Sequence, residues 1–207
     1  NPNFAQAYNN LGNLMKDLGQ ADVAIKNYQK AIEINPSFAH AYNNLGNAFK
    51  DLGQLKEAVN NYEKAIEKNP NFSEAHNNLG NAYKDFGELN SALKSYQKAV
   101  NLDNNLYEAF YNLGVVLIQL KRFNEAIQYF QSAIEINSDF AQAFNNLGSA
   151  LMSLGRLDES INYFKQSLDV DANYVNAHNN LGIALTELGQ LKAGAKLIEK
   201  AIEIDPD

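Results

Sequence analysis

Cysteine and tryptophan are absent from the 207 residues, and there are only three histidines. Without cysteine there is no disulfide framework, thiolate nucleophile or thiolate zinc site. His40, His76 and His178 are too few for a histidine-rich metal cluster, and no cofactor is expected. No apolar run approaches the ~20 residues of a spanning helix. Mean hydropathy is −0.40, so a membrane partner is not expected. Positive charge is short: 17 Lys and Arg stand against 24 Asp and Glu, a net charge of −7. That balance argues against nucleic acid or an anionic membrane surface as the main partner. The deficit is uneven. Residues 1–102 hold 10 cations and 10 carboxylates, and residues 103–207 hold 7 and 14. The two halves should therefore present different surfaces.

What the chain has in abundance is repetition. The string Ala-x-x-Asn-Asn-Leu-Gly recurs in varied forms. Its Leu-Gly falls at Leu11-Gly12, Leu45-Gly46, Leu79-Gly80, Leu113-Gly114, Leu147-Gly148 and Leu181-Gly182, always 34 residues apart. The repeats occupy 1–34, 35–68, 69–102, 103–136, 137–170 and 171–204, and 205–207 starts a further one. Eleven of the 12 glycines fall in two columns, and all four prolines in one. Punctuation this regular marks the same turns repeated. The start at Asn1-Pro2, with no initiator methionine, reads as a segment of something longer.

Each repeat reads as two helices. Before the first stands Asn3, Ser37, Asn71, Asn105, Asp139 or Asn173, all residues suited to an N-cap. Three residues on, Gln6, Glu74, Glu108 and Gln142 would complete a capping box in four repeats. The column Gly19, Gly53, Gly87, Gly155 and Gly189, with Lys121 the exception, ends this helix in a left-handed residue. The second helix stops near Ile34 and its equivalents. On the first helix of repeat 1, Tyr8, Leu11, Gly12, Met15 and Leu18 share one arc, and Asn9, Asn10, Asn13 and Lys16 the opposite one.

The 34-residue period, with Tyr8, Leu11, Gly12, Met15, Ala24, Tyr28, Ala31 and Pro36, resembles the tetratricopeptide-repeat (TPR) signature over essentially the whole chain. Departures cluster late, at Ser160, Ser167, Gly194 and, in the proline column, Asn104, Ser138 and Ala172. The resemblance implies an all-α solenoid, a right-handed superhelix whose first helices line a concave groove.

No enzyme is expected: the glycines obey the repeat, and no phosphate loop or His-Glu-x-x-His string is present. His76 and His178 share a column with Tyr8 and Tyr42 and read as packed imidazoles, and His40 as a solvated one. Asn71-Phe72-Ser73 is a lone glycosylation-type triplet in an asparagine-rich chain.

The polar face is more informative. One column reads Asn9, Asn43, Asn77, Tyr111, Asn145, Asn179. The next is unbroken: Asn10, Asn44, Asn78, Asn112, Asn146, Asn180. The third reads Asn13, Asn47, Asn81, Val115, Ser149, Ile183. A primary amide offers a donor and an acceptor, as a peptide unit does. With helices roughly 8–10 Å apart and an extended chain advancing about 3.3 Å per residue, one rung meets a bound backbone about every third residue. The expected partner is an extended peptide or protein segment, and alanine in the unbroken column is expected to spare the fold. The competing reading is that these amides satisfy helix groups or a neighbouring repeat.

The asparagine column also resembles the TPR arm of O-GlcNAc transferases, which implies a substrate-docking arm of a larger transferase. A chaperone-type carboxylate clamp is disfavoured, because Lys16, Lys50 and Lys84 are each followed by Asp17, Asp51 or Asp85. In repeat 4, Tyr111, Val115 and Ile118 make an apolar stripe that reads either as a side-chain pocket or as a packing face. At the ends, Tyr8, Leu11 and Met15 in repeat 1 and Leu191, Ala195, Ile198 and Ile202 in repeat 6 lack covering helices. Head-to-tail self-association through repeats 1 and 6 is therefore expected.

Overall fold

The computed structural model describes residues 2–206, with side chains from residue 4 onward. Among the described residues there are twelve helices and no strand. They divide into two compact units, residues 1–104 and 105–207. The first unit contains α1 (Pro2–Asp17), α2 (Ala21–Ile34), α3 (Ala39–Asp51), α4 (Leu55–Lys68), α5 (Ser73–Asp85) and α6 (Leu89–Leu102). The second contains α7 (Tyr107–Gln119), α8 (Phe123–Ile136), α9 (Ala141–Ser153), α10 (Leu157–Val170), α11 (Val175–Glu187) and α12 (Leu191–Ile204). Each unit is three antiparallel helix pairs stacked in order, so each 34-residue repeat is one helix-turn-helix.

The pairs close on an aromatic plug. Tyr28, Tyr62, Tyr96, Phe130 and Phe164 lie on the second helices and are fully buried. Alanines four residues before and three after them in the first three repeats, such as Ala24 and Ala31, continue that stripe at helical spacing. Opposite each ring is a first-helix glycine. A Cβ at Gly46 would lie 2.6 Å from the Tyr62 ring, so only glycine lets the two helices approach this closely.

The first-helix C-termini form as expected. The five glycines of the second column have φ between 72° and 78°, and Lys121 adopts φ 58° in their place. At the first of these turns, Gln20 N–H donates to Met15 O at 2.8 Å and Gly19 N–H to Lys16 O at 2.9 Å, the paired bonds of a Schellman motif.

The N-termini do not. Ser37, Asn71, Asn105, Asp139 and Asn173 fall one residue too early. The N-caps are Phe38, Phe72, Leu106, Phe140 and Tyr174, with no side-chain capping bond and no capping box. The Asn3 side chain lies outside the described residues. Burial decides this register. Phe72 packs on Ala39, Ala65 and Ala75, and burying such a ring is worth ~1.5–3 kcal/mol against ~1 kcal/mol for a polar cap. The loop is ordered one step upstream. Oδ1 of Asn35, Asn69, Asn137 and Asp171 accepts the N–H two residues on at 3.0–3.2 Å, an Asx-turn ahead of the helix.

Candidate peptide-docking face

The asparagine columns are first a bond network between repeats. Asn44 Nδ2 donates to Oδ1 of Asn9 and Asn13 at 3.0 and 3.1 Å. Asn78 Nδ2 donates to Asn43 Oδ1 at 3.0 Å. In the second unit, Asn146 Nδ2 donates to the Tyr111 hydroxyl at 3.0 Å, and Asn180 Nδ2 to Asn145 Oδ1 at 2.9 Å. Asn44, Asn78, Asn146 and Asn180 of the unbroken column thus point their donors back at the preceding repeat. The acceptors Asn9, Asn43 and Asn145 are buried, as is Asn77. This column, read from sequence as groove-lining, is thus interior at Asn9, Asn43, Asn77 and Asn145, and at Asn9, Asn43 and Asn145 the covering group is the amide of the next first helix in the same unit.

The third column serves a different partner. The hydroxyls of Tyr28, Tyr62 and Tyr96 donate to Oδ1 of Asn13, Asn47 and Asn81 at 2.9, 2.8 and 2.7 Å. Where the second-helix ring loses its hydroxyl, at Phe130 and Phe164, the first-helix partner is Val115 or Ser149 rather than asparagine. Burial pushes the Tyr28 phenol up to about 12, with Asp17 and Asp51 adding to the effect. Tyr62 and Tyr96 are raised for the same leading reason.

Solvent reaches the second and third columns more than the first: Asn13 is exposed and Asn47 and Asn81 are half-buried. Asn10 is exposed, and Asn44, Asn78, Asn112, Asn146 and Asn180 are half-buried. Asn10 Oδ1 accepts from Gln6. Among the described residues no donor reaches Oδ1 of Asn44 or Asn78. A polar cleft of 300 Å³ lies beside Asn44, lined by Asn13, Lys16, Asp17 and Asn47. Lys16 pairs across repeats with Asp51 at 3.4 Å, rather than balancing its own neighbour Asp17.

In repeat 4, Tyr111, Val115 and Ile118 are half-buried on α7. The Tyr111 ring lies 4.8 Å from Phe140 and 5.9 Å from Phe130. Tyr107 meets Phe140 edge-on at 5.2 Å. Sequence reading missed Tyr107 and Phe140, the first in a column of Ala, Ser and Val and the second in the N-cap column of Phe, Tyr and Leu106. The signal was available: Tyr107 stands where the other repeats have Ala, Ser or Val. Asn179 is half-buried on α11.

The histidines are mostly structural. His76 Nε2 lies 3.2 Å from Pro70 O and His178 Nε2 2.8 Å from Ala172 O. His178 Nδ1 is buried without a partner. Burial lowers the His76 pKa. His40 is exposed but not simply solvated, since its ring lies 4.6 Å from that of Phe72. Among the described residues no cluster of His, Asp and Glu could hold a metal ion, and no helix is long and apolar enough to cross a membrane.

The family model described as Cilia and flagella-associated protein 70 C-terminal domain matches residues 4–205. No curated protein sequence matches the chain. Among solved structures it is similar to YrrB, described as a TPR protein with an unusual peptide-binding site. That match is 29% identical over 87% of this chain and 93% of that one, with a TM-score of 0.73. It is also similar to MamA, at 29% identity over 78% of this chain and 95% of that one, with a TM-score of 0.72. Pseudomonas aeruginosa PilF covers 99% of this chain and 93% of its own at a TM-score of 0.87, and at 20% identity that likeness shows the fold alone.

Proposed function

The chain belongs to the tetratricopeptide-repeat family whose model is the Cilia and flagella-associated protein 70 C-terminal domain, and from that premise we propose that it is a protein-interaction scaffold. Its ligand is an extended polypeptide segment held along the asparagine-bearing first-helix face. One observation carries this reading. Asn44 and Asn78 use Nδ2 to lock adjacent repeats, and among the described residues nothing donates to their Oδ1. Fixed carbonyl oxygens in a row can accept N–H groups from a bound backbone, whatever side chains the ligand has. The similarity to YrrB, with its peptide-binding site, supports the same class of ligand. The docking-arm reading asks in addition for a catalytic domain elsewhere in the full-length gene, which its sequence decides.

The test is an array of unrelated 15-residue peptides probed with the wild type and with Asn44→Ala/Asn78→Ala, at a temperature where circular dichroism shows both folded. Binding should weaken by about tenfold across all peptides that bind, equivalent to ~1.4 kcal/mol. Unchanged binding, or loss confined to a few peptides, refutes backbone reading.

A second reading, self-stacking, is favoured by exposure at both ends of the repeat series. Phe4 and Leu14 on α1 and Leu18 just beyond its end are 53–60% exposed, and Leu191 and Ile202 on α12 are 63% and 57% exposed. Exposed apolar residues gathered on one face are characteristic of interaction surfaces.

A further inference from the structure

A cleft of 410 Å³ opens on the second-helix face of the first unit, between α4 and α6 and over α5. Ile66, Leu79 and Tyr83 form its floor, His76 and Ser95 line it, and Lys94 and Lys98 stand at its edge. One repeat earlier a cleft of 500 Å³ uses the same columns, with Ile32, Leu45 and Phe49 below and Asn61 in place of Ser95.

The second unit fills this position with its own side chains. The equivalents of Ser95 are Tyr129, Tyr163 and Leu197. The Tyr129 ring lies 6.4 Å from that of Phe110, the equivalent of His76. Leu197 packs with Leu168 and Leu185, the equivalents of Ile66 and Tyr83, around a cluster that includes Leu181. In the first unit Asn61 and Ser95 are short, and both turn back on their own helices. Asn61 Nδ2 donates to Glu57 O at 2.8 Å and Ser95 Oγ to Ser91 O at 3.1 Å. The fold therefore holds one site in two versions, self-filled and open.

We propose that the cleft between α4 and α6 receives a tyrosine side chain from a partner polypeptide, in an acidic sequence context. The ring is specified by the chain's own Tyr129, which occupies the same column against an aromatic neighbour. The context is specified by charge. Lys94 and Lys98 lie one turn apart on α6, are exposed, and make no ion pair among the described residues. Two lysines thus stand against one carboxylate on the lining, Glu63, which accepts the Tyr83 hydroxyl at 3.2 Å. Cations at the edge of an apolar slot match carboxylates flanking an aromatic residue. This site is separate from the asparagine face, which lies on the first helices.

The probe is the blocked pentapeptide Glu-Asp-Tyr-Glu-Asp, titrated into the full chain and followed by two-dimensional NMR. Amide shifts are expected at Ile66, Leu79, Tyr83, Lys94 and Lys98. Affinity should fall at least tenfold in Ser95→Tyr, whose ring fills the cleft as Tyr129 does in repeat 4. It should fall comparably in Lys94→Glu/Lys98→Glu and when the peptide tyrosine is replaced by alanine. Ser95→Tyr should melt no lower than the wild type, and Ser95→Leu, patterned on Leu197, serves if it does. Asn44→Ala/Asn78→Ala should bind this peptide normally, so loss of either site is told apart from loss of the other. Shifts elsewhere, equal affinity for the alanine peptide, or full affinity in the filled variants overturn the proposal.

Discussion

Single residues in this repeat carry backbone burdens that their neighbours in the column reveal. Lys121 holds φ 58° where five glycines hold the same turn. A side chain there costs roughly 1–2 kcal/mol relative to glycine. Lys121→Gly should therefore raise the urea midpoint by an amount equivalent to about 1 kcal/mol, since glycine also gains freedom in the unfolded chain. The reverse logic holds at Gly46, where crowding rather than φ is at issue. With Tyr62 2.6 Å from a Cβ built there, Gly46→Ala should destabilise by about 1–3 kcal/mol, read from the same denaturation curve. The amide columns show a third kind of constraint. Alanine at Asn44 would remove the donor to Oδ1 of Asn9, a residue only 4% exposed. An acceptor left unsatisfied there costs about 1–3 kcal/mol, so the expectation that alanine spares the fold holds only for chains with that much stability in reserve.

Between elements, the link that differs most along the chain is the tyrosine–asparagine bond joining the two helices of repeats 1 to 3. The folded chain favours the neutral phenol at Tyr28, Tyr62 and Tyr96, because burial raises each pKa. Unfolded tyrosines ionise near 10. Above that pH the unfolded state has released protons that the folded state retains, so stability falls as pH rises from about 10 toward 12. Urea unfolding between pH 8 and pH 12 should show that decline. Tyr28→Phe/Tyr62→Phe/Tyr96→Phe should flatten it, while losing about 0.5–1.5 kcal/mol per bond at pH 7. Repeats 4 and 5 carry Phe130 and Phe164 in this column, but burial also raises the phenols of Tyr83 and Tyr111, so a smaller decline should remain in the triple variant. The apolar stripe of α7 has its own consequence. If Tyr111 and Val115 receive ligand side chains, Tyr111→Ala/Val115→Ala changes which array peptides bind. Uniform loss across all of them assigns the stripe to packing.

At the scale of the whole chain, association through the exposed faces of α1 and α12 predicts a mass that rises with concentration in sedimentation equilibrium. Leu18→Lys/Leu191→Lys should hold the chain monomeric over the same range, because each leucine is at least 60% exposed and replacing it leaves the interior intact. A mass independent of concentration in the wild type removes the stacking reading.

The sequence by itself determined the period, the paired helices of each repeat and the left-handed turns, because each rests on a local property repeated along the chain. A glycine column needs no partner to mark a turn, and an apolar stripe marks its helix at once. What only the tertiary structure decided was which way each polar group faces and what it meets. The N-cap column slipped by one residue, because Phe72 gains more by reaching Ala39, Ala65 and Ala75 than Asn71 gains by capping. Three asparagine columns that look alike in sequence divided into buried acceptors, half-buried donors and partners of tyrosine. The division depends on helices 31 and 35 residues away and on a phenol 15 residues on. The open clefts at Asn61 and Ser95 were invisible for the same reason: a small polar residue in one column reads as ordinary variation until the packing shows the space it leaves.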